Sequence, residues 1–385
     1  MIRQRNTQLG ERFLNALNMV GDDPNSPMSA ASRAQALLIR EGFRECPSWQ
    51  ELWEGARPPQ PEATEPGEWA HGWQFHAATA REHHFRSTEL FPTISRAQQA
   101  LLRSQSGPGS GLAFHTAPTA QELYLSPERF RALAFRRLRW PLPLAEASCE
   151  GCGSAIDSYG DHRCACMRSG RVQLRAPPLE HVTARICREA GARVQTNVFL
   201  RNLNLNIPAS DDRRVEVVAS GLPCYHGAQL AIDVTLYSCL NGNGDPRPRA
   251  TWQNGAALQD ARDDKEKKYP ELTRSARSRL VVLALETGGR LSTETVDFLL
   301  QLARARARMV PSYLRQASTY AFFRRWTRLL AVTAANALAA SLLEDRHRLA
   351  AEPALDGGLP WLLDMLAECR HDDAPIPSSM PLRPE

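Results

Sequence analysis

The chain has 385 residues, 43% of them hydrophobic, with 47 Lys and Arg against 42 Asp and Glu and a formal charge of +5. That length accommodates two or three domains, each with its own core, and the composition is that of a folded globular protein rather than a disordered or fibrous one. No apolar run matches a membrane span (LLAVTAANALAASLL is broken by Thr, Asn and Ser), and MIRQRNTQLGERF lacks the apolar core of a secretory signal.

The basic balance is almost entirely arginine, since lysine occurs only at Lys265, Lys267 and Lys268. It is compatible with nucleic-acid contact without requiring it. Four of the nine cysteines fall between Cys149 and Cys166. In a chain that is not exported, such clustering points to a metal rather than to disulfides.

Residues 1–56 carry helical spacing in RFLNALNMV, SRAQALLIREGF and WQELWEG, and residues 57–68, RPPQPEATEPGE, form a Pro/Glu linker. A helical basic region follows over 69–145. His83 and His84 are adjacent, cannot share one helical face, and read as surface residues. SGPGSG, Ser106 to Gly111, is a turn; without a following Lys-Ser/Thr it has no phosphate-cradling role. SPERFRALAFRRLRWPLPL is a helix with Ser126 at the N-cap and Pro127 in the first position. Its Arg129, Arg131, Arg136, Arg137 and Arg139 form a basic face suited to a phosphate backbone or simply to solvent.

The segment 146–170 holds CEGCGSAIDSYGDHRCAC. Cys149 and Cys152 make a Cys-x2-Cys pair, and His162 and Cys166 follow as His-x3-Cys. Two close pairs joined by a short loop give the closed tetrahedral S/N set that structural Zn2+ prefers. Gly153 supplies backbone freedom after the second cysteine. Cys164 competes for the fourth position but lies only two residues from His162, so Cys166 is preferred.

From 171 to 310 the pattern is mixed. PPLEHVTARICREAGARV is a helix ending at Gly191, followed by a strand over VQTNVFLRNLNLNI with one wet and one buried face. RRVEVVASG and AQLAIDVTLYS flank SGLPCYHG and read as neighbouring strands, with Glu216 in the first and Asp233 in the second. A carboxylate in an apolar strand is costly to bury unless it is paired or binds a cation. Two of them on adjacent strands suggest a site for a hard divalent metal. ALQDARDDKEKKYPEL is helical and puts Lys265 and Tyr269 on one face; SRLVVLALETGGR is a buried strand. Plain alternatives stand beside each assignment: Glu216 as a solvent-facing edge charge, Asp233 holding a turn or pairing with Arg214, and KEKK as a solvated helix face. A helical block over 311–356 and a mostly loose tail over 357–385, with one short helix at PWLLDMLAEC, complete an α+β chain.

The order of parts (Cys-x2-Cys-Gly, Gly-Asp-His-x3-Cys, an acidic strand, an Asp-Val-Thr strand, a Lys/Tyr helix) resembles the C-terminal module of non-LTR retrotransposon polyproteins. That module joins a zinc knuckle to a restriction-like endonuclease of the PD-(D/E)xK class. SQSGPGSG, FRRLRWPLPL, GLPCYHGAQLAIDVTL and YPEL are also similar to retrotransposon-derived open reading frames of dinoflagellates. The resemblance spans roughly Arg103 to Leu343. It implies a small restriction-endonuclease-like mixed sheet flanked by helices, with Glu216 and Asp233 as ligands of catalytic Mg2+ or Mn2+. It further implies that the motif's Lys, whose usual place is Thr235 here, has moved to Lys265 facing Tyr269, with Lys268 as a substitute. An upstream Glu of the motif is replaced by Asn197. The implied partners are DNA and the element's RNA, with no membrane, in the nucleus. The activity is nicking of target DNA; the alternative is a catalytically degenerate zinc-knuckle nucleic-acid-binding protein. None of the Asp-Asp pairs, beginning at Asp22, Asp211, Asp263 and Asp372, has the aromatic residue two positions earlier that a reverse transcriptase carries.

Overall fold

The structure is a computed structural model that describes residues 27–48, 51–52, 54–58, 72–144, 147–203, 205–275, 277–343 and 360–369. The expected helix at RFLNALNMV and most of the Pro/Glu linker lie outside those residues. The chain divides into two compact units, with a boundary between Ser95 and Arg96 in sequence. In the first, α1 (Pro27–Arg40) and α2 (Trp73–Phe85) fall where helical spacing places them. Gly42 closes the end of α1 with φ +106°, and a Cβ there would collide with His84.

The second unit contains α3 (Arg96–Ser104), α4 (Pro127–Leu138) and α5 (Ala176–Glu189), then β1 (Arg193–Phe199), β2 (Arg214–Ser220) and β3 (Gln229–Tyr237). These are followed by α6 (Ala256–Lys268), β4 (Ser278–Glu286), α7 (Thr293–Ala307) and α8 (Arg315–Leu343). The sheet order is β1-β2-β3-β4. The first two pairings are antiparallel and β3–β4 is parallel, with α6 in the crossover. The molecule is therefore mixed α and β around a small four-stranded mixed sheet.

Local chemistry accounts for several element ends. Ser126 caps α4 by accepting the Arg129 N–H, and Ser292 does the same for α7 at Thr295. The helix expected over ALQDARDDKEKKYPEL is two pieces. Pro270 forces Tyr269 out of helical geometry (φ −128°, ψ 57°), and a short helix, Pro270–Arg274, restarts behind it. The strand expected through Ile207 stops at Phe199. Leu200 and Leu203 turn into the core, both essentially inaccessible, and Gln195, Thr196 and Asn197 are exposed in succession rather than alternating.

Residues i and i+2 of a strand share a face. Val218 and Ala231, two positions from Glu216 and Asp233, share a buried cluster with Leu280, Val282, Leu258, Ala261, Tyr269 and Leu272. So α6 and the turn after it cover the sheet face that bears the two acids. α7 packs on β4, and α8 runs against α4, α5 and α7.

The stretch Ser312–Leu343 is long and apolar enough to cross a membrane, contrary to the expectation from its interrupted run. However, 78% of that window is buried within the protein, as befits a core helix.

Candidate functional site

The Cys-x2-Cys pair folds as a tight turn. Cys149 N–H donates to the Ser154 carbonyl at 2.8 Å, Gly153 N–H donates to Cys149 at 2.8 Å, and Ser148 bridges Ala155. Gly153 takes φ +72°. Gly151 packs so closely on the Arg168 carbonyl that a Cβ would lie 2.1 Å from it. The second pair is set by a residue that the spacing did not flag. The Asp157 carboxylate accepts the N–H groups of Tyr159 (2.9 Å), Asp161 (3.0 Å) and His162 (2.8 Å), starting the short helix Asp161–Ala165.

These turns bring Cys149, Cys152, His162 and Cys166 together, with their ligand atoms all within 4.8 Å of one another. Cys149 Sγ lies 3.9 Å from Cys166 Sγ, Cys166 Sγ lies 3.7 Å from Cys152 Sγ, and Cys152 Sγ lies 3.3 Å from His162 Nε2. Zinc–sulfur bonds of about 2.3 Å in a tetrahedron place sulfurs about 3.8 Å apart. The donor set and its spacing therefore fit a metal such as zinc. Cys152 is held down at about 6, chiefly by the Ser154 hydroxyl and N–H, which favours the thiolate that ligation needs. Cys164 stays out of the cluster; its carbonyl accepts from Arg175.

The knuckle is anchored by arginines. Arg136 and Arg139 both pair with Asp161, at 2.8 and 2.9 Å. Arg163 and Arg171 donate to the Leu342 and Ser341 carbonyls at the C-terminus of α8, where the helix dipole favours positive charge. The expected basic face of α4 is thus largely taken up by protein groups. Arg136 is buried, Arg129 binds Asn336, and Arg137 binds the Gln105 and Ser110 carbonyls.

At the second site the antiparallel register places Glu216 opposite Asp233, one step beyond the last paired residues Val217 and Ile232. Asn197 falls opposite Glu216, between the Thr196–Val217 and Val198–Val215 pairs, with φ +55°. The regular ladder stops there because Glu216 Oε2 accepts the Val234 N–H, at 2.6 Å. Asp233 is completely buried, beside the Tyr269 hydroxyl. Its ion-pair partner is the Lys265 ammonium. Asp233 does not pair with Arg214, and Glu216 is half-buried on an internal strand rather than a solvent-facing edge.

Tyr269 is also completely buried, and its hydroxyl donates to the Arg214 carbonyl at 2.7 Å. Burial, reinforced by Asp233, raises its pKa. The phenol therefore keeps its proton and supports the end of β2.

A third acid lies close enough to feel the site. Burial, with the nearby Asp233 charge, raises Glu180 on α5. Burial first, and then Asp233 and Glu180, push Glu216 up to about 8, against the pull of the Val234 N–H and Lys265. Glu180 went unflagged in the sequence, although it sits in the i, i+3, i+4, i+7 row with the buried Thr183, Ala184 and Cys187. No protein-family model matches this chain, and no curated protein matches it either.

Proposed function

We propose that this chain is a metal-dependent DNA endonuclease module, derived from a non-LTR retrotransposon, which nicks DNA by phosphodiester hydrolysis in the nucleus. The observation that carries the reading is Asp233: a completely buried carboxylate opposite Glu216 on the neighbouring strand and ion-paired with Lys265. Two acids buried side by side on adjacent strands are expensive, and the arrangement makes sense where a divalent cation joins the lysine in balancing them.

Asp233 and Glu216 would hold Mg2+ or Mn2+, which when bound supplies positive charge against the scissile phosphate and lowers the pKa of water. Lys265 neutralises Asp233 while the site is free and, from the same position, stabilises negative charge growing on the phosphate. Tyr269 fixes β2 beside Glu216 and sets its hydroxyl next to Asp233, within the site. The small mixed sheet flanked by helices supports this reading, and so does a Cys/His cluster suited to structural Zn2+ ahead of it.

One observation favours a second reading. The Lys265–Asp233 pair already neutralises the buried acid without a metal, as a catalytically degenerate nucleic-acid-binding protein would require. Plasmid nicking in Mg2+ or Mn2+ separates the two. The endonuclease predicts nicking by the wild type that falls at least about 100-fold in Asp233→Ala. Gel shift by both proteins with nicking by neither establishes the binding module, and equal nicking by both removes Asp233 from the site.

A further inference from the structure

One knuckle ligand touches the connection between the two elements that carry Asp233 and Lys265. His162 turns Nε2 toward Cys152 in the ligand cluster and Nδ1 toward the Gly242 carbonyl, at 2.6 Å. A histidine that ligates through Nε2 carries its proton on Nδ1, so Nδ1–H donates to Gly242, and such an outer hydrogen bond fixes the ring.

Gly242 lies on the connection between β3, which carries Asp233, and α6, which carries Lys265. That turn is closed on itself. Asn241 Oδ1 accepts the Asn243 and Asp245 N–H groups, at 2.9 and 3.0 Å. Asn241 N–H donates to the Asp245 carbonyl at 2.8 Å, and Arg247 N–H to the Cys239 carbonyl at 2.9 Å. Further along, Arg249 donates to Asp260 on α6, at 2.7 Å. The turn therefore moves as a body with the end of β3 and is tied to α6 downstream.

We propose that His162 is a positioning residue for Lys265. With a metal in the Cys/His cluster, the Nδ1–H bond to Gly242 fixes the β3–α6 connection and thereby holds the Lys265 ammonium on Asp233. The catalytic importance of that placement rests on the endonuclease reading; the mechanical link does not.

The chain's three lysines provide the assay. The Lys265 side chain is 20% exposed and ion-paired, whereas Lys267 is 78% exposed. Acylation of the zinc-loaded full chain, followed by peptide mapping, gives the Lys265 to Lys267 labelling ratio with Lys267 as internal standard. His162→Cys offers an all-thiolate metal site but deletes the Nδ1 donor. Asn241→Ala loosens the turn and leaves the knuckle untouched.

The expected result is one zinc per chain and a labelling ratio about fivefold or more above wild type in both variants, with faster hydrogen exchange over 238–250. A zinc-loaded His162→Cys protein with the wild-type ratio overturns the proposal. Should His162→Cys lose its zinc, Asn241→Ala decides: a raised ratio supports the link, and an unchanged ratio overturns it. Failure of the wild type to nick DNA would sink the endonuclease reading, while the ratio would still decide this one.

Discussion

The four ligand atoms of the Cys/His cluster come from a single stretch between Cys149 and Cys166, and they meet at coordination spacing. The carboxylate site draws Glu216 from β2, Asp233 from β3 and Lys265 from α6, with Glu180 of α5 near by, and the Lys265 ammonium already pairs with Asp233. Soft, readily neutral donors can be brought together at little electrostatic cost, so local turns suffice to hold them. Buried carboxylates repel one another, so the sheet must force them together and a lysine must offset part of the charge. The first site should depend on its metal for structure, and the second should tolerate its absence.

Metal removal tests that contrast with the largest effect. Stripping zinc, or Cys152→Ser, should cost more than about 5 kcal/mol of stability, because metal binding and folding of such a knuckle are linked. Calorimetry with and without chelator measures it. The loss should spread to α4 and the end of α8, which Asp161, Arg163 and Arg171 tie to the knuckle. Chelation of Mg2+ should leave the unfolding midpoint of the zinc-loaded protein nearly unchanged. An equal response to both treatments would break the comparison.

Next in size is the removal of Lys265. Lys265→Met leaves Asp233 buried without its ion-pair partner and should destabilise the protein by about 3–5 kcal/mol. Adding Asp233→Asn should recover most of that loss, since the uncompensated charge goes with it. Urea unfolding of the two single variants and the double variant gives the coupling energy. Mg2+ should stabilise Lys265→Met more than wild type if the cation takes the place of the ammonium. No recovery in the double variant would show that the lysine acts through packing alone.

The same contrast explains what could be read from the sequence. The four zinc-type ligands, the N-cap of α4 and the two acidic strands were legible because spacing and alternation are local signals. Glu180 was not, since a lone acid among the mixed residues of a helix reads as an ordinary solvated charge. The arginines of α4 looked available for phosphate because a helical pattern cannot show Asp161 or the Gln105 carbonyl waiting on the other side. Gly242 contributes only a carbonyl, which has no side-chain signature at all. The end of β1 was misplaced because Leu203, Leu205 and Ile207 alternate with asparagines as a strand would, whereas Leu200 and Leu203, three apart and both buried, need the turn that brings them to one side.

Glu216→Gln gives the smallest effect and the sharpest test of the electrostatics. The folded protein holds Glu216 up to about 8, by burial and then by Asp233, against an ordinary value of 4.5. A group raised on folding contributes stability that is full below its unfolded pKa and is lost as pH climbs through the folded one. Wild-type stability should therefore fall between about pH 4.5 and 8, at no more than about 1.4 kcal/mol per pH unit. Gln cannot ionise, yet its side-chain oxygen can still accept the Val234 N–H. The variant should match wild type near pH 4.5 and exceed it by about 2–4 kcal/mol at pH 9. Mg2+ should shrink that advantage, because a bound cation favours the ionised wild-type carboxylate over the amide. A difference independent of pH would mean that Glu216 is ionised throughout and that Lys265 alone balances the site.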